Sequence, residues 1–166
     1  MFDQSPFQSF APNSRIWIFQ SLQPLTADQQ SSLTTHLDRF ASQWKAHQAP
    51  LTSAFRVYFD HVIVVAVDAS GHGTTGCSID SLHQAMSEIS RSLQIDVFDR
   101  LHIPVLQDGA LRFMTRKQLQ EGTRTGLIDD GTLILDQTIL DLETWRQDWV
   151  KPVGKSWVMR GVPARV

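Results

Sequence analysis

Cysteine is nearly absent from this chain: its 166 residues include a single one, Cys77. One cysteine cannot form a disulfide within the chain, and neither a Cys-x-x-Cys nor a His-Glu-x-x-His pattern is present to suggest zinc. We therefore expect a fold that is held together without a disulfide, a metal ion or a cofactor.

Long hydrophobic runs are also missing. The longest strongly apolar stretch, Val62–Val67, is far shorter than the ~20 residues of a membrane-spanning helix. The first residues have neither the basic region nor the apolar region of a signal peptide. These absences predict a cytoplasmic protein without a membrane partner.

Neither sign of charge is in clear excess. The chain has 15 Lys and Arg against 17 Asp and Glu, a net charge of −2. Nucleic acids and anionic membranes are held by basic fields, so this balance disfavours a nucleic-acid-binding role. The 42% of hydrophobic residues is enough for a core and excludes a wholly disordered chain.

Hydrophobic periodicity divides the chain into an arm, a core and an extension. Residues 1–14 contain three isolated Phe residues and no regular period, which predicts an irregular arm that packs against the rest. Residues 15–107 predict the order strand, helix, strand, strand, helix, strand. The predicted strands are Arg15–Ser21, Ser53–Phe59, His61–Asp68 and Ile103–Gln107. The tight Asp60–His61 junction predicts an antiparallel hairpin between the second and the third of them. The first helix starts after a capping box at Thr26 and ends at Pro50, and the second follows residue 76.

This order is that of a split β-α-β, or ferredoxin-like, unit, in which both helices cover one face of a four-stranded antiparallel sheet. The third strand would be central, and His61–Asp68 is apolar on both faces. We therefore expect the second face to be covered by the Phe-rich arm, by the C-terminal region or by another copy in a homodimer. The prediction is an α+β fold with a ferredoxin-like core at 15–107.

Residues 108–166 predict an α/β extension that packs on this core. Asp108-Gly109 suits a two-residue hairpin turn, and helical, strand and helical patterns follow at 116–122, 126–135 and 140–149. Trp145, Trp149 and Trp157 alternate with basic residues, a mixture that could stack bases or bind a peptide. We interpret them as core and cover, because a chain of this size buries such rings.

The segment Gly71–Ser81 is the most function-like stretch. A glycine-rich loop before a helix can present free N–H groups to an anion, which makes Gly73, Gly76, Cys77 and Ser78 candidate ligand- or anion-binding residues. Neither phosphate-binding fingerprint is complete, since Cys77 stands where Walker A requires Lys and the G-x-G-x-x-G lies in an antiparallel context. The alternative is an ordinary connection whose helix is capped by Ser78.

Cys77 is also a candidate nucleophile, since a helix N-terminus favours the thiolate, with His72 or His83 as its base. The alternative readings are a small apolar role for Cys77 and a place for His83 at the border of the core. The acidic pairs Asp96/Asp99 and Asp129/Asp130 could serve acid–base chemistry, but their spacing is typical of turns.

Four short motifs suggest a relationship to known proteins: GCSIDS (Gly76–Ser81), FDRL (Phe98–Leu101), QWKAH (Gln43–His47) and KSW (Lys155–Trp157). With them the chain resembles, over about residues 15–160, a family of uncharacterised short bacterial proteins that often carry the label "ABC transporter ATPase". This chain lacks Walker A and the length of an ATPase domain, so the resemblance implies no ATPase activity. Residues 119–135 with Trp145 are also similar to the GYF-type peptide-binding domain, without its Gly-Tyr-Phe core.

Three functions follow as hypotheses. The first is a non-catalytic binding or adaptor module with a protein or small-molecule partner, because no catalytic set of residues is complete. The second is an enzyme or anion-binding protein that uses Cys77 and the backbone amides of the 71–81 loop. The third is single-stranded nucleic-acid binding on an exposed sheet face through Trp17, Phe19 and the basic tail.

Overall fold

The computed structural model describes residues 2–71 and 73–161. The chain divides into two compact units, of which the first comprises residues 1–99 and 139–146 and the second residues 100–138 and 147–166. The division thus lies before Arg100 rather than after Gln107, and a segment from the expected extension belongs to the first unit.

The regular elements are mixed helices and antiparallel strands, so the α+β class is confirmed. The helices are α1 (Ala27–Gln43), α2 (Gly76–Ser92), α3 (Arg116–Thr125) and α4 (Leu142–Asp148). The strands are β1 (Arg15–Gln20), β2 (Lys45–Ala46), β3 (Ala49–Pro50), β4 (Ser53–Tyr58), β5 (Val62–Val67), β6 (His102–Gln107), β7 (Ala110–Thr115), β8 (Leu133–Leu135) and β9 (Val150–Pro152). No helix in the described ranges is both long and apolar enough to span a membrane.

The first unit contains a three-stranded antiparallel sheet in the order β1-β5-β4. The expected hairpin joins β4 to β5 through Phe59 and Asp60, whose φ angles of 53° and 59° give the tight reversal. The predicted fourth strand is not in this sheet: β6 pairs with β7 and β8 in the second unit. The place beside β1 is filled instead by single bridges from Phe98 and Asp141. The ferredoxin-like arrangement is therefore not confirmed.

Both long helices, α1 and α2, begin at a capping box. The Thr26 and Gln29 side chains each bind the other residue's backbone N–H, at 3.2 and 2.9 Å, which confirms the predicted capping box. The first helix ends at Gln43, earlier than expected, because Trp44 turns extended and the chain enters the β2–β3 hairpin. The apolar sides of α1 and α2 meet one face of the sheet at Leu33, Leu37, Leu82, Met86, Ile63 and Val65.

The other face of this sheet is also covered, as the apolar third strand predicted. Trp145 of α4 is fully buried and lies edge-on to Phe2 and Phe7 of the N-terminal arm, with ring centroids 4.8 and 5.5 Å away. Arg146 holds the arm in place, because its guanidinium donates to the carbonyl oxygens of Phe7 and Phe10 at 2.6 and 3.2 Å. The cover is thus the Phe-rich arm together with one C-terminal helix.

The helices cover the two aromatic residues that the nucleic-acid hypothesis would use. Trp17 and Phe19 are 8% and 1% exposed, because they point into the core between the sheet and the helices. Rings that bind bases by stacking must be accessible. Trp17 and Phe19 are therefore not accessible for stacking on bases.

The second unit is built on a four-stranded antiparallel sheet in the order β7-β6-β8-β9. The predicted Asp108-Gly109 turn joins β6 to β7, with φ angles of 50° and 79°. Its core contains Ile103, Val105, Leu119, Ile128, Ile134, Val153 and Val158. Trp149 is fully buried as well, in agreement with the interpretation of the tryptophans as core.

A buried carboxylate joins three segments of this second unit. Asp136, whose side chain is 6% exposed, accepts hydrogen bonds from the backbone and hydroxyl of Thr138 at 2.9 and 2.6 Å. It also accepts one from Trp157 Nε1 at 3.2 Å and pairs with Lys151 Nζ at 3.0 Å. Asp136 therefore connects the end of β8 to β9 and to the 3-10 turn at Trp157–Met159.

Candidate functional site

The 71–81 segment forms an ordinary capped helix start. Thr75, rather than Ser78, is the N-cap of α2, and its Oγ1 accepts the Ser78 N–H at 3.3 Å while Ser78 Oγ accepts the Thr75 N–H at 2.8 Å. Ser78 is buried, and its carbonyl oxygen accepts the indole N–H of Trp44 at 2.9 Å. The Ser78 amide, one of the candidate anion donors, is thus already used by the capping box.

The glycines of this segment have no steric requirement to be glycine. Gly71, Gly73 and Gly76 lie outside the positive-φ region, and a Cβ on any of them would meet no atom within 4 Å. Phosphate-binding loops use glycine where the backbone must turn sharply or approach its ligand closely. The first condition does not hold at these three positions, because none of them has a positive φ.

Cys77 is exposed in the first turn of α2, so it does not have the buried apolar role that was its alternative. His83 lies six residues further along the helix, which corresponds to a rotation of about 240° and a rise of about 9 Å. The ring of His83 instead packs on Phe19 and Phe98, with centroids 5.8 and 6.4 Å away, as expected for the border of the core. The other candidate base, His72, lies outside the described residues.

The acidic pairs serve turns. Asp96 Oδ1 accepts the N–H of Phe98 at 2.9 Å, and Asp129 Oδ1 accepts that of Gly131 at 2.7 Å. Asp99 Oδ1 accepts a hydrogen bond from the Gln20 amide at 3.1 Å. No group of three or more His, Cys, Asp or Glu side chains within residues 2–71 and 73–161 could hold a metal ion.

The second unit contains a feature that the sequence analysis missed, an apolar groove beside α3. The α3 groove has a volume of about 600 Å³ and lies between the helix and the end of the β6–β7 hairpin. Met114, Gly122, Leu127 and Ile128 supply its apolar surface, and Gln107, Lys117, Gln118, Glu121 and Thr125 line the rest. Leu127 is 85% exposed, which is the largest exposed fraction of any large hydrophobic side chain in the described part of the chain.

The end of α3 explains why Leu127 faces water. Gly126 closes the helix in the left-handed conformation at φ 80°, and the N–H of Ile128 then returns to the carbonyl oxygen of Gly122 at 3.0 Å. The residue after such a cap commonly packs back on the helix, but here Ile128 takes that place and Leu127 points away. Two adjacent apolar residues after a helix-ending glycine were the only sequence signal for this arrangement.

A second depression adjoins the α3 groove. It has a volume of about 570 Å³ and shares Gln107 and Met114 with the groove. Arg112, Asp108 and Leu133 lie along it. Because two side chains border both depressions, an extended segment several residues long could follow them as one path.

Charge is distributed unevenly between the units. The first unit has six Lys or Arg against eleven Asp or Glu, a formal charge of −5, whereas the second has nine against six, a charge of +3. At the α3 groove, Glu121 is held by Arg124 through contacts of 2.6 and 3.1 Å. Lys117 and Arg112 make no hydrogen bond or ion pair within the described part of the chain. Glu121 also interacts electrostatically with Lys117. Around the two depressions, the three bases Lys117, Arg112 and Arg124 thus stand against two acids, Glu121 and Asp108.

Gly122 gives a direct test of how the groove is built. We expect Gly122→Ala to lower the free energy of unfolding by about 1–3 kcal/mol, the usual cost of overpacking. The added Cβ would lie 2.6 Å from Ile128 Cδ1 and 2.8 Å from its Cγ1, so the floor of the groove must shift. Thermal unfolding measures the loss.

Gly76→Ala is the matched control, since it makes the same change in α2 with no atom within 4 Å. We expect it to be neutral or to stabilise the protein by up to about 1 kcal/mol. Equal losses in the two variants would show that Ile128 does not pack on Gly122.

Comparison with protein-family models, with curated proteins and with solved structures found no match for this chain. The geometry of the α3 groove and of the α2 start is thus the basis for a functional proposal.

Proposed function

We propose that this chain is a cytoplasmic, non-catalytic binding module whose second unit holds a short peptide segment of a partner protein in the α3 groove. Leu127 carries the proposal: a large apolar side chain is 85% exposed beside an apolar groove that has room for another side chain. Burying Leu127 against a partner would remove this surface from water, which is the main driving force of association. Exposed apolar surface that polar residues border is typical of interaction sites.

The charges suggest what kind of peptide fits. Lys117 and Arg112 border the connected depressions, Glu121 is neutralised by Arg124, and the unit as a whole has a charge of +3. Among the described residues that line the second depression, Asp108 is the one acidic side chain. The complementary partner has an apolar side chain for the groove and acidic residues beside it, because opposite charges speed encounter and fix orientation.

Selection from a random peptide library displayed on phage tests this function. We expect enrichment of peptides that combine an apolar residue with Asp or Glu, and weaker binding as salt is raised. Leu127→Asp should weaken a selected synthetic peptide at least tenfold. Lys117→Glu should weaken it and reduce its salt dependence.

The matched control is Leu101→Asp, because Leu101 is 77% exposed in the same unit but does not line the groove. It should bind the selected peptide as the unaltered chain does. If no peptide is enriched over the Leu127→Asp variant, or if Leu101→Asp has the same effect, the α3 groove is not the binding site.

The alternative function, catalysis or anion binding at the α2 start, predicts a different result. If the Cys77 thiol is a nucleophile, Cys77→Ser would abolish the activity, whereas anion binding by backbone amides would survive this change. Leu127→Asp would leave both unchanged. The exposed thiol supports this alternative, whereas the capped Ser78 amide and the separation of Cys77 from His83 weigh against it.

We also propose a more specific fold for the first unit. We infer that the first unit is a variant of the ferredoxin-like arrangement, supported by the order β1-β5-β4 and by two helices on one face. In the place of the fourth strand, β1 has only two single bridges, a parallel one to Phe98 and an antiparallel one to Asp141. Peptide binding by the second unit does not depend on this assignment.

A further inference from the structure

The outer edge of β4 is an open strand edge in the first unit. In the order β1-β5-β4, the free side of β1 is occupied by backbone bonds from Gln20 to Val97 and from Ile16 to Leu140, both of 3.0 Å. The free side of β4 has no such partner among the described residues. Open edges of this kind offer a row of backbone donors and acceptors to another strand.

A groove runs along this edge. Its volume is about 550 Å³, and it is lined by the five consecutive residues 53–57 together with Gln30, Thr34, Asp38 and Ala41 of α1. Consecutive strand residues point to opposite faces, so all five can line one groove only if it follows the strand edge. No residue of the N-terminal arm lines it, although Asp3 of the arm pairs with Arg56 at 2.9 Å.

The backbone register identifies which groups face the groove. The N–H of Asp68 donates to the carbonyl oxygen of Thr52 at 2.9 Å, so residue 52 and every second residue after it bond inward to β5. By this alternation, the N–H and C=O groups of Ser53, Phe55 and Val57 point outward. Six backbone groups are therefore available to an added strand.

We propose that the partner at this edge is a second copy of the chain, joined through antiparallel β4–β4 pairing with Phe55 opposite Phe55 of the other copy. The two three-stranded sheets then form one continuous six-stranded sheet. A two-fold axis at Phe55 pairs Ser53 with Val57 of the other copy, and all twelve outward groups of the two strands are satisfied. The proposal is independent of peptide binding in the second unit.

The side chains of β4 favour this register over its neighbours. With the axis at Phe55, Arg56 lies opposite Ala54 of the other copy, and Phe55 lies beside its symmetry mate. A shift that places the axis at Arg56 would set two guanidinium groups directly opposite one another, which is unfavourable. A shift that places it at Ala54 leaves Val57 without a partner in β4. The strand is thus complementary to itself in one register.

The residues of β4 also favour a second copy at this edge. The groove beside β4 is lined by one acid, Asp38, and by one base, Arg56, which is already paired with Asp3 at 2.9 Å. Natural edge strands are commonly protected by charged side chains, Pro or a bulge. β4 (SAFRVY) has one charged side chain, Arg56, which is paired with Asp3, and it contains no Pro and keeps a regular register along its length. The backbone of this edge is thus suited to pairing with another strand.

Disulfide trapping tests both the contact and its register. In a Cys77→Ser background, Phe55→Cys should give a cross-linked dimer on mild oxidation, because directly opposed residues of a hydrogen-bonded pair have Cα atoms about 5.5 Å apart. Ser53→Cys and Val57→Cys should each cross-link at least tenfold more slowly alone. A mixture of those two variants should cross-link to a heterodimer.

Sedimentation of the chain without added cysteines is the companion measurement. We expect a dimer whose association strengthens with salt, because each copy has a net charge of −2 and the first unit a charge of −5. Ser53→Pro should shift the protein toward monomer, since it removes an outward N–H while the inward bonds remain. Circular dichroism and thermal unfolding would show that this variant is folded.

Two results would overturn the proposal. One is a monomer at every concentration up to about 1 mM, where even a weak contact would be populated. The other is equal cross-linking of all three single-cysteine variants, which would indicate random collision. A monomer that still selects acidic peptides through the α3 groove would reject the dimer and leave the proposed function intact.

Discussion

Replacing Asp136 by Asn is expected to lower the free energy of unfolding of the second unit by about 3 kcal/mol, near the lower end of the cost of breaking a buried ion pair. The carboxylate is almost fully buried and accepts bonds from Thr138, Trp157 and Lys151. The neutral amide leaves the Lys151 ammonium, whose side chain is 12% exposed, without its buried counter-charge. Urea unfolding, followed by hydrogen exchange of second-unit amides, measures the loss.

Asp148→Asn is the matched control, because Asp148 binds the same Lys151 but its side chain is 57% exposed. Exposed ion pairs contribute only about 0–1 kcal/mol. If the two variants lost equal stability, Lys151 would be the important group and the burial of Asp136 would not matter.

The Asp136 carboxylate also makes the stability of the second unit depend on pH. Burial acts to raise the pKa of Asp136, but the hydrogen bonds from Thr138 and the charge of Lys151 outweigh it and hold the pKa below its ordinary value of 3.8. A group whose pKa is depressed by folding stabilises the folded state above its unfolded pKa and loses that contribution as the pH falls through the folded pKa. We expect the second unit to lose stability below about pH 4, and Asp136→Asn to remove this part of the acid sensitivity.

Replacing Trp145 by Ala is expected to destabilise the first unit by about 3–5 kcal/mol, the usual cost of removing a large buried aromatic side chain. Trp145 is fully buried, and its ring is within 5.7 Å, between centroids, of Phe2, Phe7 and Tyr58. Its loss would open a cavity over the face of the sheet that the arm covers. Unfolding followed by hydrogen exchange in β1 and β5 reports the effect on that sheet.

Phe7→Ala provides the comparison that assigns this effect to the covering cluster. Because the two rings touch, the double variant should lose less than the sum of the single losses, with a coupling of about 0.5–1.5 kcal/mol. Trp145→Phe should cost less than half as much as Trp145→Ala. Additive losses would mean that the arm and α4 stabilise the sheet independently.

Sequence patterns predicted those elements that depend on interactions between residues close together in the chain. The Thr26 capping box, the Asp108-Gly109 turn and the period of α2 each depend on residues a few positions apart, and each is present in the structure. The predicted end of the first helix at Pro50 was wrong because contacts between distant residues end this helix at Gln43. Trp44 leaves the helix to reach Trp17, 5.9 Å away between ring centroids, and the Ser78 carbonyl oxygen, both distant in sequence.

The candidate site also combines features that short-range sequence patterns indicate with features that depend on contacts between distant residues. Sequence chemistry drew attention to Gly71–Ser81, where the glycines and Cys77 stand out, but it could not show that the Ser78 amide is already bonded or that His83 faces Phe19 and Phe98. The α3 groove had almost no signal of its own. It exists because Gly122 lets Ile128 approach the helix and turns Leu127 toward water.

The sequence by itself determined the class of fold, the start of each long helix, two hairpin turns and the need to cover both faces of β5, because periodicity, caps and turns express short-range physics. Only the tertiary structure decided which segments do the covering, where β6 pairs, and which strand edge and groove remain open. Those outcomes depend on contacts between residues far apart in the chain, whose free energies no local pattern contains.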